Sequence, residues 1–133
     1  MYIDAMFAFS FGGSDDFGKT YKIGEKFFLD FSPKPTGIGF AIRNGVDADF
    51  DLAKQIKVKM CADKEIKSTI EFKTVNSCGA PEKAKDIILS KGENKICIDI
   101  PNLRSRLTEI VILIPRNGGI DVTNFTISTV ELI

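Results

Sequence analysis

Carboxylates are the most plentiful groups in this chain that could do chemistry. Asp15 and Asp16 adjoin in a glycine-rich stretch, GGSDDFGK over residues 12–19, and Asp47, Asp49 and Asp51 alternate in another polar stretch. A glycosidase needs two carboxylates at a set separation, one of them kept protonated by an apolar setting. Nothing around these pairs buries or isolates one member, so catalysis is not expected. Histidine is absent, which removes Ser-His-Asp and Cys-His nucleophilic chemistry and ordinary zinc sites. The glycine-rich stretch lacks the Lys-Ser/Thr ending and following helix of a phosphate-binding loop, and reads as a connection.

Three cysteines remain: Cys61, Cys78 and Cys97. An odd count leaves at least one free thiol per chain or a bond between chains. Their spacings of 17 and 19 residues match no zinc motif. The plain alternative is that they serve as small buried hydrophobes.

The elements that would position these groups are strands. Residues 4–11 alternate, with Met6, Ala8 and Ser10 on one face and Phe7, Phe9 and Phe11 on the other. That period of two predicts a strand, with the Phe face turned inward. Residues 26–32 alternate again, with Phe27, Leu29 and Phe31 inward, and Pro33 and Pro35 end that run. In residues 37–44, Ile38, Phe40 and Ile42 share one face, against Gly39, Ala41 and Arg43. Small residues on that outer face imply that something approaches closely. Asn44-Gly45 signals a turn, and the following VDADFDLA could form one helical turn.

Further runs cover residues 55–61, 66–75 and 95–100, with short apolar pieces at 21–23 and 86–89. Residues 102–107 could form another short helical turn. The last quarter closes the domain with two runs, 109–115 and 122–133, around Arg116-Asn117-Gly118-Gly119. In the final run Phe125 and Ile127 share one face, and Val130 and Leu132 lie beyond an expected bulge or twist. In the run before it, Val111 and Leu113 make both faces apolar. The pattern predicts an all-β domain, an antiparallel β-sandwich (jelly roll) of eight or nine strands, with no amphipathic helix.

A chain of 133 residues is one domain with room for a real core. Its 18 basic and 18 acidic residues cancel, against the basic excess of a nucleic-acid binder. No run approaches the ~18 apolar residues that would span a bilayer, so no membrane partner is expected. The first residues have no basic region ahead of an apolar core, so they are not an intact signal peptide, and the expectation is either a cytoplasmic protein or one whose leader has been removed. Tryptophan is absent and aromatics are eleven Phe and two Tyr, which removes the best flat surface for stacking on sugars.

The order of segments resembles the galactose-binding-like jelly roll, and in particular the carbohydrate-binding modules attached to enzymes and cellulosome components that degrade plant polysaccharides. Four stretches carry the resemblance: DFDLAKQIKVKMCAD, a polar lead-in to a core strand; IKSTIEFKT, whose outward residues would face ligand; GENKICIDIP, a glycine followed by a strand ending at proline; and LTEIVILIPRNGGIDVTNFTISTVEL, the terminal pair, in which Asp121 to Asn124 opens the last strand.

The resemblance implies an extracellular, non-catalytic module, monomeric within a larger enzyme, that holds a polysaccharide or oligosaccharide in a shallow groove. By the family's topology, residues 37–44, 66–75 and 109–115 share a sheet whose outer face is that groove. Arg43, Thr69, Glu71 and Lys73 would then point into it, with Arg116 and Asn117 at its rim. Charged groups form the stronger hydrogen bonds to sugar hydroxyls, whereas the plain alternative is a solvated face with weak cross-strand ion pairs. Lacking tryptophan, stacking would lean on Tyr21 and on an exposed Phe such as Phe28. No cofactor is required, but a structural calcium is common in the fold, and Asp4 and Asp121 could supply oxygen ligands. The same topology sets the strands of Cys61 and Cys97 side by side, leaving either a disulfide or two adjacent thiols. The rival reading is a protein–protein or structural module on the same sandwich.

Overall fold

A computed structural model of the chain describes residues 1–11, 18–30, 37–115 and 122–133. Among them are ten strands: β1 (Ala5–Phe11), β2 (Gly18–Lys22), β3 (Lys26–Asp30), β4 (Gly37–Arg43), β5 (Gln55–Ala62), β6 (Ile66–Thr74), β7 (Lys83–Leu89), β8 (Gly92–Asp99), β9 (Leu107–Pro115) and β10 (Val122–Leu132). All pairings are antiparallel. One sheet has six strands in the order β2-β1-β4-β9-β6-β7, and the other has four in the order β3-β10-β5-β8. The fold is therefore the expected all-β sandwich. Its strand count exceeds eight or nine because the short pieces near residues 21 and 86 are full edge strands, β2 and β7. The described residues include no helix: residues 44–54 form turns that bury Phe50, and residues 102–106 form a bend.

The core lies between the sheets. β4 supplies Ile38, Phe40 and Ile42, β9 supplies Ile110, Ile112 and Ile114, and β5 supplies Ile56, Val58 and Met60, all buried. Four rings join the sheets: Phe40 lies 5.2 Å from Tyr21, 6.0 Å from Phe27 and 5.7 Å from Phe125, measured between centroids. Ser68 enters this apolar layer only because its hydroxyl donates to the Leu113 carbonyl at 2.7 Å.

β10 carries the expected bulge. Its register against β5 shifts between Ile127 and Thr129, so Ser128 is the extra residue. Without it, Val130 and Leu132 would turn outward. With it, both are buried, like Phe125 and Ile127 before it.

β1 reverses the expected orientation. Met6, Ala8 and Ser10 are buried, whereas Phe7, Phe9 and Phe11 lie half-buried on the outer face of the six-stranded sheet. Alternation identifies two faces but does not say which is inside when both are apolar. The interior already holds Phe40, Tyr21 and the isoleucines of β4, so the slimmer side of β1 packs there.

At the start of β10, Asp63 accepts from the Thr123 hydroxyl and, at 3.3 Å, from the Asn124 amide. The Thr123 bond holds the Asp63 carboxyl below its ordinary pKa, and Asn124 adds to the effect. A depressed carboxyl contributes stability above its unfolded pKa of ~3.9, and that contribution is lost as pH falls through the lower folded value. Asp63→Asn is expected to cost under ~1 kcal/mol at pH 7, since the group is largely solvated. In urea titrations the gap should shrink as pH falls and close once the carboxyl is protonated in the folded protein as well. A gap that persists beyond that point would mean that the charge contributes nothing.

Candidate functional site

The outer face of the six-stranded sheet is assembled by register. One row across it reads Thr20, Phe7, Ala41, Val111, Glu71 and Ala84, and the next reads Gly18, Phe9, Gly39, Leu113, Thr69 and Asp86. Arg43, Glu109 and Lys73 form the row at the end where β9 begins, and Phe11, Gly37 and Pro115 run along the opposite end. The centre is thus apolar and its border along β6, β7 and one end is polar.

The glycines explain the centre. A Cβ on Gly39 would lie 2.4 Å from the tip of the Phe9 ring, and one on Gly18 would lie 2.3 Å from that of Phe7. The rings therefore lie down over neighbouring strands, in space that only glycine leaves open. Phe7 and Phe9 are 6.0 Å apart with planes inclined by 20°, close to a continuous tile. The close approach expected over the small face of β4 is thus made by rings of β1. Val111 has no solvent exposure, and the half-buried Leu113 continues the tile.

The charged residues are less free than the sequence suggests. Asp47, in the loop after β4, accepts from the Arg43 backbone amide at 2.9 Å and from its Nε at 3.0 Å. Gly45 makes this loop possible: it adopts φ of 79°, the left-handed region, and its amide donates to the Ala48 carbonyl. The Arg43 guanidinium also lies 4.9 Å from the Phe7 ring centroid, so it is positioned at the tile's edge. Thr69 donates to Asp86 at 2.8 Å, and Lys73 pairs with Glu109 at 3.9 Å. Glu71 stands apart. Burial pushes its carboxyl above the ordinary range, Lys73 counters that, and Glu109 adds to it. A half-buried carboxylate with no ion pair among the described residues keeps oxygens available to accept from hydroxyl donors.

Arg43, Thr69, Glu71 and Lys73 therefore share one face. Tyr21 does not join them: it is buried against Phe27 and Phe40, and its hydroxyl donates to the Glu25 carbonyl. Its cross-strand partner Met6 faces the core, so Tyr21 must too. Phe28 is exposed, but on edge strand β3 of the other sheet. Arg116, Asn117 and Asp121 lie outside the described residues. Asp4 is exposed just before β1, and no group of three or more His, Cys, Asp or Glu side chains able to hold a metal converges among the described residues.

Cys61 and Cys97 do sit on neighbouring strands, β5 and β8, but Cys61 opposes Glu93 and Cys97 opposes Lys57. Four residues of offset put them about 13 Å apart along the strands, well beyond disulfide reach. All three cysteines are free.

The residues missed by sequence reasoning are Phe7, Phe9 and Phe11. The signal was present in Gly37 and Gly39, because glycine in a strand marks a large neighbour lying across it. Compared with protein-family models, curated proteins and solved structures, the chain matches none of them.

Proposed function

We propose that this chain is a non-catalytic carbohydrate-binding module, secreted within a larger polysaccharide-degrading enzyme or scaffold, that holds a plant cell-wall polysaccharide on the outer face of the six-stranded sheet. One observation carries this reading: the flat tile of Phe7, Phe9, Leu113 and the small residues beneath it, bordered on one side by Thr69, Glu71, Asp86 and Lys73. A pyranose ring has an apolar C–H face and a rim of hydroxyls, and needs both surfaces side by side. The open face suits a chain passing across it. Affinity would be modest, because sugar hydroxyls largely exchange water for protein partners. The rival reading, a protein-docking face, draws on the same tile but leaves Glu71 buried against a partner with no donor assigned to it.

Affinity electrophoresis against glucans, xylans, mannans and pectins tests the proposal. Retardation on at least one is expected, and folded protein retarded by none would sink it. Glu71→Gln separates binding from folding. Ionised Glu71 costs stability, a cost absent below its ordinary pKa of ~4.3 and growing as pH rises through the higher folded value. The variant should therefore melt no lower than the parent at pH 7, yet bind several-fold more weakly. A lower melting temperature would make Glu71 structural instead.

A further inference from the structure

The opposite face of the molecule carries its own groove, of about 320 Å³, at the small end of the range for ligand pockets. It is walled by Tyr2, Lys57, Lys59, Lys95, Cys97, Thr129 and Glu131, all from the outer side of the four-stranded sheet or its edge. Register fixes the arrangement. Lys59 opposes Lys95 directly, Lys57 lies two residues along on the same face, and Glu131 stands between Lys57 and Tyr2.

Two lysines directly opposite on neighbouring strands repel one another. Among the described residues only Glu93 relieves them, at 3.4 Å from Lys59 and 3.8 Å from Lys95. Lys57 and Glu131 are cross-strand partners that form no ion pair with one another or with other described residues. The groove thus offers one ammonium, Lys57, without an ion pair among the described residues, two more, Lys59 and Lys95, that share the single carboxylate of Glu93, a carboxylate, Glu131, likewise unpaired, and the exposed ring of Tyr2.

These three demands select a ligand class. Inorganic phosphate or sulfate would satisfy the lysines but meet Glu131 as a like charge. A neutral sugar would satisfy Glu131 and the Tyr2 ring but leave Lys57 without an anion and Lys59 and Lys95 sharing one carboxylate. A hexuronate residue has a carboxylate for Lys57, Lys59 and Lys95, hydroxyl donors for Glu131 and Thr129, and a C–H face for Tyr2. We propose that this groove is a binding site for a uronate residue of an acidic polysaccharide. It draws on no residue of the six-stranded face.

Cys97 supplies the readout, because it lies in the groove opposite Lys57, and exposed Cys78, in the loop between β6 and β7 and outside the groove lining, serves as reference. The ratio of iodoacetamide labelling rates, Cys97 to Cys78, is measured with millimolar trigalacturonate, with its methyl ester and with inorganic phosphate. Trigalacturonate is expected to lower the ratio at least fivefold, with the effect fading as salt is raised, while ester and phosphate leave it within twofold. Lys57→Ala with Lys95→Ala should abolish protection, Tyr2→Ala should reduce it, and Phe9→Ala should preserve it. No protection by trigalacturonate, or equal protection by ester or phosphate, overturns the proposal. Protection that survives in the double lysine variant overturns it too. Because Phe9→Ala bears only on the opposite sheet, failure of either face leaves the other's result standing.

Discussion

Phe40→Ala is expected to lower the unfolding free energy by about 3–5 kcal/mol. Phe40 has no solvent exposure and sits mid-strand in β4. Its ring meets Tyr21 of its own sheet and reaches Phe27 and Phe125 of the other. Removing it leaves a void with aromatic walls belonging to three other strands, all held by their own ladders, so collapse into the space is limited. Against a typical stability of about 5–15 kcal/mol, this single change would bring the domain near its threshold. Urea unfolding measures it, with Phe28→Ala as comparison. Phe28 is 59% exposed, so its loss should cost under ~0.5 kcal/mol. A Phe40→Ala loss below ~1.5 kcal/mol would mean that the surrounding rings repack freely.

The second large effect separates two glycines two residues apart. A Cβ on Gly39 meets three ring atoms of Phe9 at 2.4–2.9 Å and nothing else so near. A ring on a free χ1 can swing away, so Gly39→Ala should cost only ~1 kcal/mol. The swing would lift Phe9 out of the tile, and polysaccharide affinity should fall at least tenfold. A Cβ on Gly37 meets the Phe11 ring at 2.5 Å and also the Ile114 carbonyl oxygen at 2.8 Å. That carbonyl belongs to the β4–β9 ladder and cannot turn aside. Gly37→Ala should therefore cost ~2–3 kcal/mol, seen as a lower melting temperature. Equal stability losses in the two variants would refute this distinction. Undiminished binding by folded Gly39→Ala would show that the flat setting of Phe9 does not matter to the ligand.

How much of this was legible in the sequence varies with the kind of information needed. Membership of β4, β6 and β9 in one sheet, and the common face of Arg43, Thr69, Glu71 and Lys73, followed from alternation together with a resemblance in segment order. The bulge at Ser128 was legible because Val130 and Leu132 break the parity of Phe125 and Ile127. What escaped was whatever depends on the other side of a contact. β1 has two apolar faces, so its orientation is decided by the bulk already in the core, not by its own residues. Tyr21 follows Met6 across a pairing whose register lies in the structure alone. Cys61 and Cys97 illustrate the limit. Their strands are neighbours but not successive, so no hairpin turn between them fixes the register, and four residues of offset decide between a bond and two thiols.

The two chain ends meet at one edge of the four-stranded sheet. The Met1 amino group donates to the Leu132 carbonyl at 2.8 Å, Tyr2 bridges Glu131, and the Ile3 amide donates to the Val130 carbonyl at 2.9 Å. This geometry sets how the domain bears tension. A pull through both ends loads these bonds one after another, as a zipper opens, and not all together as in shear. Resistance is then that of a single bond at a time, however stable the core is to heat or urea. The first pairs to part would carry Tyr2 away from Glu131, so the lysine groove would lose its aromatic wall while the six-stranded sheet still held.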